Sequence, residues 1–140
     1  MSTLKAFLVE DSPVIRESLV AALEELAPVQ VVGTADDERG AVEWLGGPDD
    51  GGACDLMIVD IFLKAGSGLG VLRAARDLHR PITMVVLSNY ATADMQRRCM
   101  DLGATRVFDK SRELDELIGY CEQLATEADA HARDGRVTRA

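Results

Sequence analysis

Five short, nearly continuous apolar runs alternate with stretches of helical periodicity along this chain, and this alternation limits the folds open to it. The runs are Leu4–Val9, Val29–Thr34, Asp55–Asp60, Ile82–Leu87 and Arg106–Phe108. Strands that are apolar on both sides are typical of parallel sheets covered by helices on both faces. The sequence therefore predicts an α/β fold, a doubly wound five-stranded parallel sheet.

Helix signals lie between the runs. Ser12 followed by Pro13 predicts a helix start, with Pro28 after its end. Further helices are predicted over Glu38–Leu45, Leu69–Leu78 and Thr92–Leu102, with Gly103 as a C-cap. The last helix is predicted to be capped by Ser111, with Glu113 in its first turn. Loops are predicted at 46–53 and around Gly66, Gly68 and Gly70, the latter as a flexible turn.

The polar segment after about Thr126 is predicted to fray. We therefore expect one domain over residues 1–127 and a polar C-terminal tail over residues 128–140. The net charge of -9 disfavours binding to nucleic acid or to an anionic membrane, since both require a positive surface. No targeting segment or membrane-spanning stretch is apparent, so we expect a cytoplasmic protein. Cys54, Cys99 and Cys121 are odd in number and widely spaced, which indicates reduced thiols.

Polar residues follow four of the predicted strands. Glu10 and Asp11 follow the first strand, Asp60 ends the third, Ser88 follows the fourth, and Lys110 comes after the fifth. Ligands of open parallel sheets bind at the carboxyl ends of the strands, so these side chains are expected to converge. Each residue taken alone has a simpler explanation, because Asp and Glu also occur in helix caps and turns.

The chemistry of this set indicates a cation site with a nucleophile. Carboxylates held close together repel one another unless a cation or protons neutralise them, and Mg²⁺ prefers oxygen ligands. Lys110 and Ser88 could hold phosphoryl oxygens, while a carboxylate can attack phosphorus to form an aspartyl-phosphate.

Together these residues resemble the receiver domain of two-component response regulators, of the single-domain type found in chemotaxis. The resemblance extends from about Leu4 to Leu124. It rests on Glu10-Asp11, on Asp60 after LMIV, on Ser88 after MVVL and on Lys110 after VFD. The segment DIFLKAGSGLGVL from Asp60, and Leu102-Gly103-Ala104, add to it.

The resemblance implies a flavodoxin-like strand order 2-1-3-4-5 and a role for each residue. Asp60 would be the phospho-acceptor. Glu10, Asp11, Asp60 and the backbone carbonyl of Phe62 would bind Mg²⁺, Glu10 through water. Ser88 would move toward the phosphoryl group, and Lys110 would pair with that group or with unphosphorylated Asp60.

Partners follow from the same resemblance. The phosphoryl donor would be a histidine kinase or a histidine phosphotransfer protein that docks beside the first helix, at Pro13, Val14 and Glu17. Phosphorylation would switch binding to an unidentified protein target in a phosphorelay, and the chain would be a monomer or a phosphorylation-dependent dimer. The output surface would lie on the fourth helix, fifth strand and fifth helix, at Arg97, Arg98, Arg106 and Glu113. The chain would catalyse its own phosphorylation and dephosphorylation and would not be an enzyme that acts on other substrates.

Two positions depart from the family pattern. Many receivers have a cis proline after the lysine, whereas Ser111 stands here. A non-proline cis bond costs about 2.5–4 kcal/mol, so we expect a trans bond, or a strained one held by phosphoryl contacts. Many also have Tyr or Phe three residues before the lysine, whereas Val107 stands here. Phe108 is expected to point to the opposite face of the sheet and not to replace that aromatic ring.

Two aromatic residues are predicted to influence the lifetime of the phosphoryl group. Phe62 lies two residues after Asp60, and Tyr90 lies two residues after Ser88. In receivers these positions flank the phosphoryl group, so two bulky rings should shield it from water. The hypothesis is a long-lived aspartyl-phosphate, unless both rings pack elsewhere.

Three other functions fit parts of the pattern. A Mg²⁺-dependent aspartyl-phosphate phosphohydrolase would need a second carboxylate two residues after Asp60, where Phe62 stands. A flavin-binding module would need a phosphate-binding loop after the first strand, but Glu10 and Asp11 would repel phosphate. A pseudo-receiver adaptor that is never phosphorylated would not need all five polar residues.

Overall fold

The computed structural model describes residues 3–47, 53–89 and 91–139, with side chains described as far as residue 130. Five strands form one parallel sheet in the order β2-β1-β3-β4-β5. They are β1 (Leu4–Val9), β2 (Val29–Ala35), β3 (Leu56–Val59), β4 (Thr83–Ser88) and β5 (Ala104–Asp109). The predicted fold class and strand order are confirmed.

Five helices follow the strands in turn: α1 (Pro13–Leu26), α2 (Glu38–Leu45), α3 (Gly68–Asp77), α4 (Ala93–Asp101) and α5 (Leu114–Arg139). The side chain of Ser12 accepts a hydrogen bond from the Ile15 N–H and caps α1, as predicted. Gly103 follows α4 with φ of 107°, a left-handed conformation that favours glycine. No helix among the described residues is long and apolar enough to cross a membrane.

Two apolar layers cover the sheet because alternate strand residues point to opposite faces. Leu8 and Ile58 pack with residues of α1 and α5, including Leu23 and Leu117. Their neighbours in the strands, such as Phe7 and Val59, pack on the other face with α2, α3 and α4, and Trp44 stacks on Phe7 with ring centroids 4.0 Å apart. The sheet is thus buried on both sides, which explains why its strands read as continuous apolar runs.

The start of the last helix differs from the prediction. α5 begins at Leu114, and the hydroxyl of Ser111 donates to Asp109 Oδ1 at 2.6 Å, so the prediction that Ser111 caps this helix is wrong. Glu113 precedes the helix, and its carboxylate accepts the Asp109 N–H at 2.7 Å. Asp109 therefore holds Ser111 in the preceding turn.

The end of the last helix also differs. Fraying was predicted after Thr126, but the backbone stays helical to Arg139. The hydroxyl of Thr126 donates to the Glu122 carbonyl at 3.0 Å, and Gln123 donates to Glu127 at 3.0 Å. Side-chain hydrogen bonds between residues four apart thus continue beyond Ala125, the last residue of α5 in the core. The division into a domain over 1–127 and a tail over 128–140 stays a prediction.

The three cysteines are free thiols. Cys99 and Cys121 are buried and Cys54 is half-buried. Burial raises the pKa of Cys54 and of Cys121 to about 11, so both are protonated and unreactive near neutral pH.

Candidate functional site

The site lies at the carboxyl ends of four adjacent strands. Val9 of β1 is in register with Val59 of β3, and Val59 is in register with Val86 of β4. The Asp60 N–H donates to the Val9 carbonyl at 3.0 Å, and the Lys110 N–H donates to the Ser88 carbonyl at 3.2 Å. These backbone bonds bring residues that are far apart in sequence to one place on the sheet.

Asp60 is almost fully buried, with 6% of its surface exposed. Its Oδ1 atom accepts a hydrogen bond from the Ser88 hydroxyl at 2.8 Å and another from the Phe62 N–H at 3.2 Å. Its Oδ2 atom accepts from the Lys110 ammonium at 2.7 Å. Both oxygens of the carboxylate are therefore bound by donors that could equally bind phosphoryl oxygens.

Glu10 is 1% exposed and shares the same ammonium group. Lys110 Nζ lies 2.6 Å from Glu10 Oε1, while Glu10 Oε2 accepts the Ser12 N–H at 3.0 Å. The guanidinium of Arg16 donates to the Glu10 carbonyl at 3.0 Å. The contact of Arg16 with the site was not predicted from the sequence, because its acceptor is a backbone carbonyl, which every residue has and which therefore gives no sequence motif.

The charge of Lys110 is stabilised by these neighbours. Burial by itself would lower the pKa of this ammonium group. The hydrogen bonds and the attraction of Asp60 and Glu10 outweigh burial and raise the pKa above its usual 10.5. Lys110 is thus a cation throughout the physiological range.

The residues present fit a divalent cation. Glu10, Asp11 and Asp60 each offer a carboxylate oxygen, and these oxygens lie within 4.8 Å of one another. Such hard oxygen donors are the ligands that Mg²⁺ prefers. The three carboxylates and one ammonium group leave two negative charges when all are ionised, which a divalent cation would neutralise. The part played by the Phe62 carbonyl stays a prediction.

Gly68 holds the loop after Asp60 against the sheet. A Cβ atom at this position would overlap the carbonyl oxygen of Asp60 and lie 2.7 Å from the Ile61 Cα. The Gly68 N–H also donates to the Ile61 carbonyl at 2.8 Å. The sequence indicated only a flexible turn here, whereas the structure has close backbone packing at the first residue of α3. The cluster of glycines was the signal that could have revealed it.

The residues predicted to modulate the site occupy different surroundings. Phe62 is 53% exposed, so its ring does not pack in the core. Val107 packs against the face covered by α2, α3 and α4, while Phe108 is buried on the other face, as expected. Val107 and Ser88 line a cavity of about 370 Å³, with Ala91 and Gln96 among its other walls. Tyr90 lies outside the described residues.

The bond between Lys110 and Ser111 is trans, as expected, since the described residues contain no cis peptide. The isomer that proline supports in many receivers is thus absent at this bond.

Comparison with known proteins identifies the family. The family described as the response regulator receiver domain matches residues 6–122. The chain therefore belongs to the response regulator receiver family.

Curated relatives contain more than this domain. A protein-glutamate methylesterase/protein-glutamine glutaminase of Anaeromyxobacter dehalogenans is 33% identical over 111 residues, which are 78% of this chain and 29% of that protein. A probable transcriptional regulatory protein of Picosynechococcus is 32% identical over 123 residues, 86% of this chain and 48% of that protein. The chain spans half or less of the length of these two relatives.

Solved structures share the fold. The receiver domain of the putative response regulator NarL of Mycobacterium tuberculosis superposes with a TM-score of 0.78 at 23% identity, over 90% of this chain and 98% of that one. A phosphorylated cyanobacterial phytochrome response regulator, RcpA, has a TM-score of 0.70 at 26% identity, over 88% of this chain and 91% of that one.

Proposed function

We propose that this chain is a phosphorylation switch in which Asp60 accepts a phosphoryl group from a phosphohistidine donor in the presence of Mg²⁺. One observation carries the proposal. Asp60 is buried, its two oxygens are held by Ser88 and Lys110, and it shares an acidic cluster with Glu10 and Asp11. A related solved structure is described as phosphorylated, which supports the same chemistry.

In the proposed transfer, an Asp60 oxygen attacks phosphorus as the nitrogen–phosphorus bond of the phosphohistidine breaks. The imidazole leaves with the bonding electrons and takes up a proton, and Asp60 becomes an acyl phosphate. Lys110 and Ser88 then exchange their bonds to Asp60 for bonds to phosphoryl oxygens. Mg²⁺ held by Glu10, Asp11 and Asp60 would supply positive charge against the transferring group.

The same exchange of partners would carry the signal. Ser88 ends β4 and lines the cavity with Val107 between the ends of β4 and β5. A shift of Ser88 toward a phosphoryl oxygen would change this cavity and the surface of α4, β5 and α5. Arg97, Arg98 and Arg106 are exposed there and Glu113 is half-exposed, so this is the proposed output surface for a protein target.

The proposed surface for the phosphoryl donor lies at α1, next to Lys110. Val14 is 74% exposed near the start of α1, with Pro13 and Glu17 also exposed. Val14, Ile15 and Leu114 line a mainly apolar cavity of about 350 Å³ that reaches Lys110. A helix of a histidine kinase or a histidine phosphotransfer protein could dock there and bring its phosphohistidine to Asp60.

Output through protein–protein contacts also belongs to this proposal. The relatives named as a methylesterase and as a transcriptional regulator are longer than this chain, so their activities are not assigned to it. We propose a cytoplasmic component of a phosphorelay, either a monomer or a dimer that forms on phosphorylation, with no nucleic-acid or membrane ligand.

The test is the intact-protein mass after incubation with acetyl phosphate and Mg²⁺. We expect one phosphoryl adduct that is absent from Asp60→Asn and from a sample with EDTA. An unmodified mass under every condition would contradict the proposal and favour a constitutive adaptor. Release of phosphate from small phosphoesters over many turnovers would instead favour a phosphohydrolase.

A further inference from the structure

Glu38, the first residue of α2, contacts the loop that follows Asp60 at two points. Its backbone N–H donates to the Ala65 carbonyl at 3.2 Å. Its Oε1 atom accepts the Ser67 N–H at 2.8 Å. A residue 22 positions before Asp60 thus binds two backbone groups near the far end of loop 61–67.

Two glycines leave room for this carboxylate. A Cβ atom on Gly66 would overlap the Glu38 Cβ, and a Cβ atom on Gly70 would overlap the Glu38 carboxylate. Gly66 also has φ of 80°, which other residues adopt only with strain. The Glu38 side chain therefore occupies the space that side chains at these two positions would fill.

The loop connects this contact to Asp60. Ser67 pairs with Phe62 in an antiparallel bridge, and the Phe62 N–H donates to Asp60 Oδ1 at 3.2 Å. Holding Ser67 thus holds Phe62, and holding Phe62 holds one oxygen of the acidic cluster. A ligand binds more tightly to a loop that is already ordered, because no free energy of binding is then spent on ordering the loop.

We propose that Glu38 is a positioning residue that keeps loop 61–67 in the conformation that receives the divalent cation, and so sets the Mg²⁺ affinity of the site. Glu38 does not touch the acidic cluster in this proposal and acts through Ser67 and Phe62. The inference rests on the proposed function in that the site must bind Mg²⁺.

The experiment compares Glu38→Ala and Glu38→Gln with the unaltered chain, and uses Glu43→Ala as the control. Glu43 lies on the same helix, is 68% exposed in its side chain and bonds only to Arg39 among the contacts of the described residues. The readouts are the Mg²⁺ dissociation constant, measured by calorimetric titration without a phosphoryl donor, and the hydrogen-exchange rates of the Ser67 and Gly68 amides without metal.

Loss of a hydrogen bond to a charged acceptor predicts that Glu38→Ala weakens Mg²⁺ binding by about tenfold and speeds exchange at Ser67 by a similar factor. Glu38→Gln keeps an oxygen acceptor and should recover most of both properties. Glu43→Ala should change neither. The rate of phosphorylation by acetyl phosphate at saturating Mg²⁺ should also stay unaltered in Glu43→Ala, because among the described residues Glu43 bonds to neither the loop nor the acidic cluster.

A folded Glu38→Ala variant with unaltered Mg²⁺ affinity and exchange would overturn the inference, as would a Gln variant no better than the Ala variant. If Glu38→Ala does not fold, Gly70→Ala replaces it, since its methyl group displaces the Glu38 carboxylate and should weaken Mg²⁺ binding in the same way. An unaltered chain that binds Mg²⁺ but gains no phosphoryl mass would contradict the proposed function and leave this inference standing. A chain without Mg²⁺ affinity would overturn the inference.

Discussion

The ammonium group of Lys110 lies between two buried carboxylates, and its bonds to Glu10 and Asp60 are both shorter than 2.8 Å. Removing a cation from such a cluster leaves charges that neither water nor a partner compensates. The same group would also have to release Asp60 when a phosphoryl group arrives. Lys110 thus links the stability of the resting site to its proposed chemistry.

This arrangement predicts that Lys110→Met lowers the free energy of unfolding by about 3 kcal/mol at neutral pH without divalent cation. Saturating Mg²⁺ should restore part of the loss, because it replaces the missing positive charge. Chemical denaturation with and without Mg²⁺ measures both effects. Lys64→Met is the matched control, since Lys64 forms an exposed ion pair with Asp36, and an equal loss in the two variants would contradict the prediction.

Phe62 carries the prediction about phosphoryl lifetime. Its ring is exposed beside Asp60, and its N–H donates to the acceptor carboxylate. If the ring, together with Tyr90, limits the entry of water, Phe62→Asn and Tyr90→Glu should each shorten the half-life of the phosphorylated chain severalfold. The decay of the intact-mass adduct after removal of acetyl phosphate measures it. A half-life that is unaltered or longer in both variants would exclude shielding by these rings.

At the scale of elements, the junction between β3 and α3 decides the shape of the site. The first residue of α3, Gly68, lies against the Asp60 and Ile61 backbone so closely that no side chain fits. The position of the helix therefore fixes the direction in which the chain leaves Asp60.

We expect Gly68→Ala to lower the free energy of unfolding by about 1–3 kcal/mol, because backbone must move to admit the methyl group. The shift should also slow phosphorylation of Asp60. Gly119→Ala is the control: Gly119 lies in α5, a methyl group there would have no neighbour within 4 Å, and alanine should stabilise the helix by up to about 1 kcal/mol. Thermal unfolding and the rate of mass gain test both variants, and a neutral Gly68→Ala would contradict the close packing.

At the scale of the whole molecule, residues that follow two different strands of the sheet meet in one acidic cluster. Glu10 and Asp11 follow the first strand and Asp60 follows the third, so a ligand held by all three connects separate parts of the fold. A ligand that binds only the native state stabilises that state as a unit.

Mg²⁺ should therefore raise the unfolding temperature of the whole domain. At ten times its dissociation constant the gain is about 1.4 kcal/mol, or roughly 5 °C for a domain of this size. Differential scanning calorimetry with Mg²⁺ and with EDTA measures the shift. Asp11→Asn should reduce it, and an equal shift in that variant would show that the cation binds elsewhere.

Much of this fold followed from local pattern. The apolar run Leu4–Val9 is a strand with the predicted bounds, and Glu38–Leu45 is a helix with the predicted bounds, because periodicity and capping residues act over a few neighbours. Glu10, Asp60, Ser88 and Lys110 could be picked out for the same reason, since each lies at the end of a strand in a parallel sheet.

Other features depended on contacts between distant parts of the chain, which no local pattern records. Ser111 is of a residue type that often caps helices, but its hydroxyl donates to the Asp109 carboxylate, and the helix begins only at Leu114. Glu38 reads as an ordinary first-turn residue, yet its carboxylate holds Ser67, and its packing explains Gly66 and Gly70. The sequence by itself determined the elements and the residues available for chemistry. The tertiary structure alone decided which loop Glu38 restrains and which carboxylates share Lys110, because those are matters of distance in the folded chain.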